Sequence, residues 1–127
     1  VTWSRASAAA AVAGVLSELD PAVSVFAIPP ETLNPPAYVV GYARIVMYDQ
    51  PSFAVDAATL TVSAVTGANE VDRCDAMLHD AKVALNADPS LSGAAKHCRV
   101  AEQGNWRRLN IAGSEVLAGD LTVEIRM

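Results

Sequence analysis

Three places along the chain combine residue types that could do chemistry. Asp75 and His79 are four apart, so on a helix they share one face and could hold a proton or a metal ion between them. No third ligand is evident near them, which leaves a solvated surface pair as the plainer reading. His97 and Cys98 are adjacent, and neighbours on a strand point to opposite faces, so they cannot ligate one ion without a bulge. Trp106-Arg107-Arg108 is the compact aromatic and basic cluster. It could stack on a base or grip phosphate, but a chain of net charge −5 lacks the basic field of nucleic-acid binders. Trp and Arg are also enriched where a protein contact buries an aromatic anchor. The cluster therefore reads either as a partner surface or as a plain exposed turn.

The common spacings that hold a nucleophile, zinc or phosphates are missing: there is no GxSxG, HExxH, GxGxxG or P-loop. The expectation is a protein without catalysis, cofactor or metal. Cys74 and Cys98 form no CxxC pair and are expected to be buried free thiols. With 127 residues, 52% hydrophobic and 18% charged, the chain suits one folded, acidic domain over residues 1–127. Its alanine-rich run over residues 8–16 is shorter than the ~20 residues a membrane span needs and leads into an amphipathic pattern unlike a signal peptide. No membrane association and a cytoplasmic origin are expected.

The elements that position these residues follow from periodicity. Residues 1–20 read as a helix capped near Thr2 or Ser4, with Ala8, Val12, Val15, Leu16 and Leu19 in one apolar stripe, ended by Asp20-Pro21. Its opposite face carries small residues, among them Ala10 and Gly14, and so is either a close-packing contact surface or a high-alanine face in water. A short strand over residues 22–28 leads to Pro29, Pro30, Pro35 and Pro36, which fix φ and remove donors, predicting a stiff exposed arm. A long strand follows over residues 37–48, with Gly41 marking a bulge or a close approach. In the loop over residues 49–56, Phe53 is hard to justify on solvation grounds alone.

Residues 59–66 alternate as a half-buried strand. Asn69 then caps a second helix to about Asn86, with Val71, Cys74, Met77, Leu78, Ala81 and Leu85 inward and Val83 on the outer face. Strands are expected over residues 97–102 and 121–127, and the Gly-containing stretch between them has room for a hairpin. The fold class is α+β: a mixed, mainly antiparallel sheet with two helices packed on one face, in the order α-β-β-β-α-β-β.

The segments NPPAYVVG, ALNADPSLSG and the terminal AGDLTVEIRM, in that order and spacing, resemble the tail terminator proteins of long-tailed bacteriophages across nearly the whole chain. The resemblance implies a structural virion protein of the tail-neck region, assembled in the host cytoplasm. Such proteins form a hexameric ring that caps the tail tube, halts its polymerisation and provides the joint to the head. The implied partners are further copies of the chain, the major tail tube protein and a head-side connector or stopper protein. DNA passes through the lumen without specific binding. On this reading Ala10, Gly14, Pro35, Pro36, Phe53, Val83, Trp106, Arg107 and Arg108 are the candidate interface residues, because a closed ring needs two different faces per subunit. Another neck protein, or a small ligand-binding or enzymatic α+β domain with a concave apolar pocket, are the alternatives.

Overall fold

The computed structural model describes residues 5–27, 35–46, 57–91, 93, 97–111 and 114–126. The elements are α1 (Arg5–Leu16), β1 (Ser24–Phe26), β2 (Ala37–Val46), β3 (Ala57–Gly67), α2 (Val71–Ala87), β4 (His97–Gln103), β5 (Arg107–Ile111) and β6 (Ser114–Arg126). Their order is α-β-β-β-α-β-β-β, so the α+β class stands while three strands, rather than two, follow the second helix. The sheet runs β1-β2-β3-β6-β4, with β5 also on β6. The β1–β2 pair is parallel and every other pair antiparallel.

Both helices lie on one face. α1 packs on β1, β2 and β3, α2 packs on β3, β4 and β6, and the helices touch each other. Strand alternation explains the core: Tyr38, Val40, Leu60, Val62, Leu121, Val123 and Ile125 point toward the helices, which contribute Val12, Leu16, Leu78 and Leu85. On the opposite face Val65, Val116 and Ala118 form a second, smaller cluster with Val39 and Leu109.

Strand β6 begins at Ser114, seven residues before the expected start at Leu121. Ala118-Gly119-Asp120 reads as a turn but is the middle of the strand, because a close approach from α2 requires a glycine there. A Cβ on Gly119 would lie 2.6 Å from Leu78 Cδ1 and 3.2 Å from Cys74 Sγ. Only a residue without that atom lets α2 sit this close to the sheet.

The first helix stops at Leu16, earlier than expected. Ser17 still closes an α-type bond to the Ala13 carbonyl, after which Glu18 and Leu19 tighten into three-residue turns. Ala8, Val12 and Leu16 are buried as expected, but Leu19 falls outside the helix and is 38% exposed. Asp20 then turns the chain by accepting the Ala22 N–H at 2.9 Å. At the start of α2 the N-cap is Glu70, not Asn69, and it makes no side-chain cap. Its Oε2 instead accepts the Gly67 N–H at 3.2 Å. The buried Thr66 hydroxyl donates to the Glu70 carbonyl at 3.4 Å, so the end of β3 itself organises the helix entry.

Candidate functional site

Two surfaces border α2. The first is built on one edge of β6. Strand β4 pairs with its C-terminal half, ending at Gln103 opposite Leu121, and β5 pairs with its N-terminal half, starting at Arg107 opposite Ala118. β4 and β5 thus form one interrupted strand in which residues 104–106 face only Gly119 and Asp120. Gly104 N–H bonds to the Asp120 carbonyl at 2.9 Å and keeps the interruption against β6. This extra residue, and a second register shift between Val100 and Glu102, bend an edge that would otherwise invite strand addition.

The interruption sets the directions of the aromatic and basic cluster. Trp106 turns to the helix side, where its indole N–H donates to Asp75 Oδ1 at 2.8 Å. Arg107 turns to the open side and pairs with Asp120, which also accepts a 2.7 Å bond from the Ser63 hydroxyl. Arg108 returns to the helix side, donating to the Ala68 carbonyl at 2.8 Å and facing Glu115 at 3.4 Å. The three residues therefore clamp both faces of the sheet edge while remaining at the surface, Trp106 at 50% exposure. Asp75 and His79 make different contacts: Asp75 holds Trp106, and His79 lines a cleft.

That cleft, of about 370 Å³, is the second surface. It lies between the chain leaving α1, the start of β1 and α2, and is walled by Leu19, Val23, Met77, Val83 and Ala84 with Asp20, His79 and Asp80 around them. Tyr38 forms part of its wall and is 2% exposed. Its hydroxyl donates to the Met77 carbonyl at 2.6 Å, tying β2 to α2. Burial, reinforced by the Asp80 and Asp20 carboxylates, pushes the phenol far above its ordinary pKa, so it stays a neutral donor. Val83 is 52% exposed, an apolar side chain left uncovered on α2.

The other candidate interface residues are spread more widely. Ala10 and Gly14 sit on the exposed side of α1, and a Cβ at Gly14 would meet nothing. Pro35 is exposed, whereas Pro36 is half-buried and its carbonyl accepts the Ser24 N–H at 3.3 Å. The last residue of the expected arm is thus fastened to the first strand; the Pro35-Pro36 peptide is cis. Residues 29–34 of the arm, the last residue of the expected strand before it, and Phe53 lie outside the described residues. The sequence reading missed Leu19, Asp20, Val23 and Asp80 as cleft residues. The available signal was Asp20-Pro21, a helix stop that also leaves Leu19 without a helical partner face.

His97 is exposed and Cys98 buried, on opposite faces as neighbours on a strand must be. Both cysteines are buried free thiols. Burial raises both thiol pKa values, that of Cys98 to about 11, and nearby carboxylates add to the effect, Asp75 at Cys74 and Asp88 at Cys98. Neither is a reactive thiolate near neutral pH.

No family model matches the chain, and no curated protein matches it. Among solved structures, the chain is similar to one described as "Virion of native gene transfer agent (GTA) particle", at 18% identity and a TM-score of 0.48. That similarity covers 93% of this chain and 92% of the other.

Proposed function

We propose that the chain is a structural subunit of a phage-like virion, a tail terminator whose ring caps the tail tube, stops its polymerisation and joins it to the head connector. The observation that carries this reading is the open cleft: Val83 and Leu19 stand 52% and 38% exposed on its walls, beside Asp20, His79 and Asp80. Apolar side chains left open around a concave surface are a feature of assembly surfaces. The order of the segments that resemble tail terminators supports it as well. NPPAYVVG enters β2, ALNADPSLSG closes α2, and AGDLTVEIRM supplies most of strand β6. The acidic balance of the subunit, −5, suits a ring through which DNA slides, since a basic lumen would hold the phosphate backbone.

Electron microscopy of virions made with and without the gene tests the reading. Overlong tails lacking heads establish termination. Tails of normal length left unjoined assign the chain to a head-side connector, and normal infectious particles reject a virion role.

A further inference from the structure

We propose that the cleft beside α1 receives the Trp106 corner of the next copy of this chain, making a head-to-tail contact between subunits. The inference deepens the ring reading above and rests on it.

The cleft offers apolar walls and two carboxylates, and the corner offers an exposed aromatic ring beside a weakly paired arginine. The cleft, about 370 Å³, offers apolar walls at Leu19, Val23 and Val83 to an aromatic ring, and its rim carries Asp20 and Asp80. Neither carboxylate has an ion-pair partner among the described residues; that of Asp20 accepts the Ala22 N–H. The corner on the other flank presents Trp106, half exposed and fixed by its bond to Asp75, so little side-chain freedom is lost when it docks. Arg108 lies next in line. It is anchored by its 2.8 Å bond to the Ala68 carbonyl, while its pair with Glu115 spans 3.4 Å between side chains that are 54% and 59% exposed, a weak contact that a carboxylate on a neighbour can replace.

The relative placement of the surfaces gives the contact its direction. The cleft borders β1 and β2, whereas the corner lies on the β5 side of β6 at the other end of the strand order. A contact joining different faces of identical subunits is heterologous, and it closes into a ring when the rotation per subunit divides a full turn.

Engineered disulfides test the contact. Val83→Cys and Asn105→Cys, both exposed positions, are combined in one chain that keeps the buried Cys74 and Cys98, and concentrated protein is oxidised. The expected result is a reducible ladder of covalent multimers, at least tenfold above that from a control chain carrying the exposed Ser90→Cys with Asn105→Cys. Adding Asp80→Arg should reduce the ladder at least fivefold, and adding Arg108→Asp to that chain should restore it, with circular dichroism confirming the fold throughout. No ladder, a ladder equal to the control, or one indifferent to Asp80→Arg overturns the proposed contact. The ring reading is decided separately by tail length, so overlong tails without a ladder would keep termination and discard these two faces.

Discussion

The two sides of β6 are governed by different physics. Facing the helices are Leu117, Gly119, Leu121, Val123 and Ile125, all buried; facing away beyond Ala118 are Asp120, Thr122 and Glu124, all half-buried. On the helix side shape decides, as the 2.6 Å between a Gly119 Cβ and Leu78 Cδ1 shows. On the open side paired charges decide, with Arg107 on Asp120 and Arg99 on Glu124. Substitutions on the helix side should therefore be costly and coupled to one another, and those on the open side mild and sensitive to salt.

The largest effect is expected at Leu78, which is fully buried against Gly119. Leu78→Ala should destabilise by about 2–5 kcal/mol, read as a lower urea midpoint. Gly119→Ala should cost about 1–3 kcal/mol through overpacking. Their combination should cost less than the sum, because removing Leu78 Cδ1 vacates the space the new Cβ needs. Strict additivity would show that α2 does not rest on Gly119 and would remove the basis of the comparison.

Legibility in the sequence divided along the same line. Where periodicity is set by one buried face, the reading succeeded: Cys74, Met77, Leu78, Ala81 and Leu85 are the buried stripe of α2, and Leu60, Val62 and Ala64 the inward residues of β3. It failed where a tertiary contact overrides local preference. Gly119 reads as a turn until Leu78 and Cys74 are known to lie above it, and so the first half of β6 was hidden. Of the site, the exposure of Val83 and Trp106 was visible as apolar or aromatic residues out of pattern. The cleft was not, because Leu19 and Asp80 are distant in sequence and meet only because the chain leaves α1 at Leu16, four residues early.

Alkaline titration extends the comparison to Cys98, buried on the helix side. Its folded pKa of about 11 lies above the value of 9.0 for a free thiol. Below pH 9 both states keep the proton and stability is unaffected. Between pH 9 and 11 the unfolded thiol ionises first, so stability falls as pH rises, by at most about 1.4 kcal/mol per pH unit from this group. Cys98→Ala should lower stability at pH 7 yet flatten the decline between pH 9 and 11. An unchanged slope would assign the alkaline loss to other groups, Tyr38 first among them, since burial raises its phenol pKa as well.

The Trp106 corner bridges the two regimes, with an aromatic on the helix side held by one hydrogen bond. Asp75→Ala should cost about 1 kcal/mol, the ordinary net worth of such a bond. It should also free the indole and change its fluorescence, a response that loss of a plain surface charge would not produce.

The smallest effect is expected at Arg99, whose 2.9 Å pair with Glu124 joins side chains 61% and 43% exposed. Water screens such a pair and two flexible side chains must be ordered to form it, so Arg99→Ala should change stability by less than about 1 kcal/mol. A double-mutant cycle with Glu124→Ala isolates the pair, and its coupling should shrink as salt rises because the Debye length falls to about 3 Å at 1 M. A coupling that persists in high salt would mean that the open face excludes water. Since Arg99 and Glu124 lie on the side the helices leave uncovered, only a further protein surface resting there in the conditions of measurement could supply that exclusion.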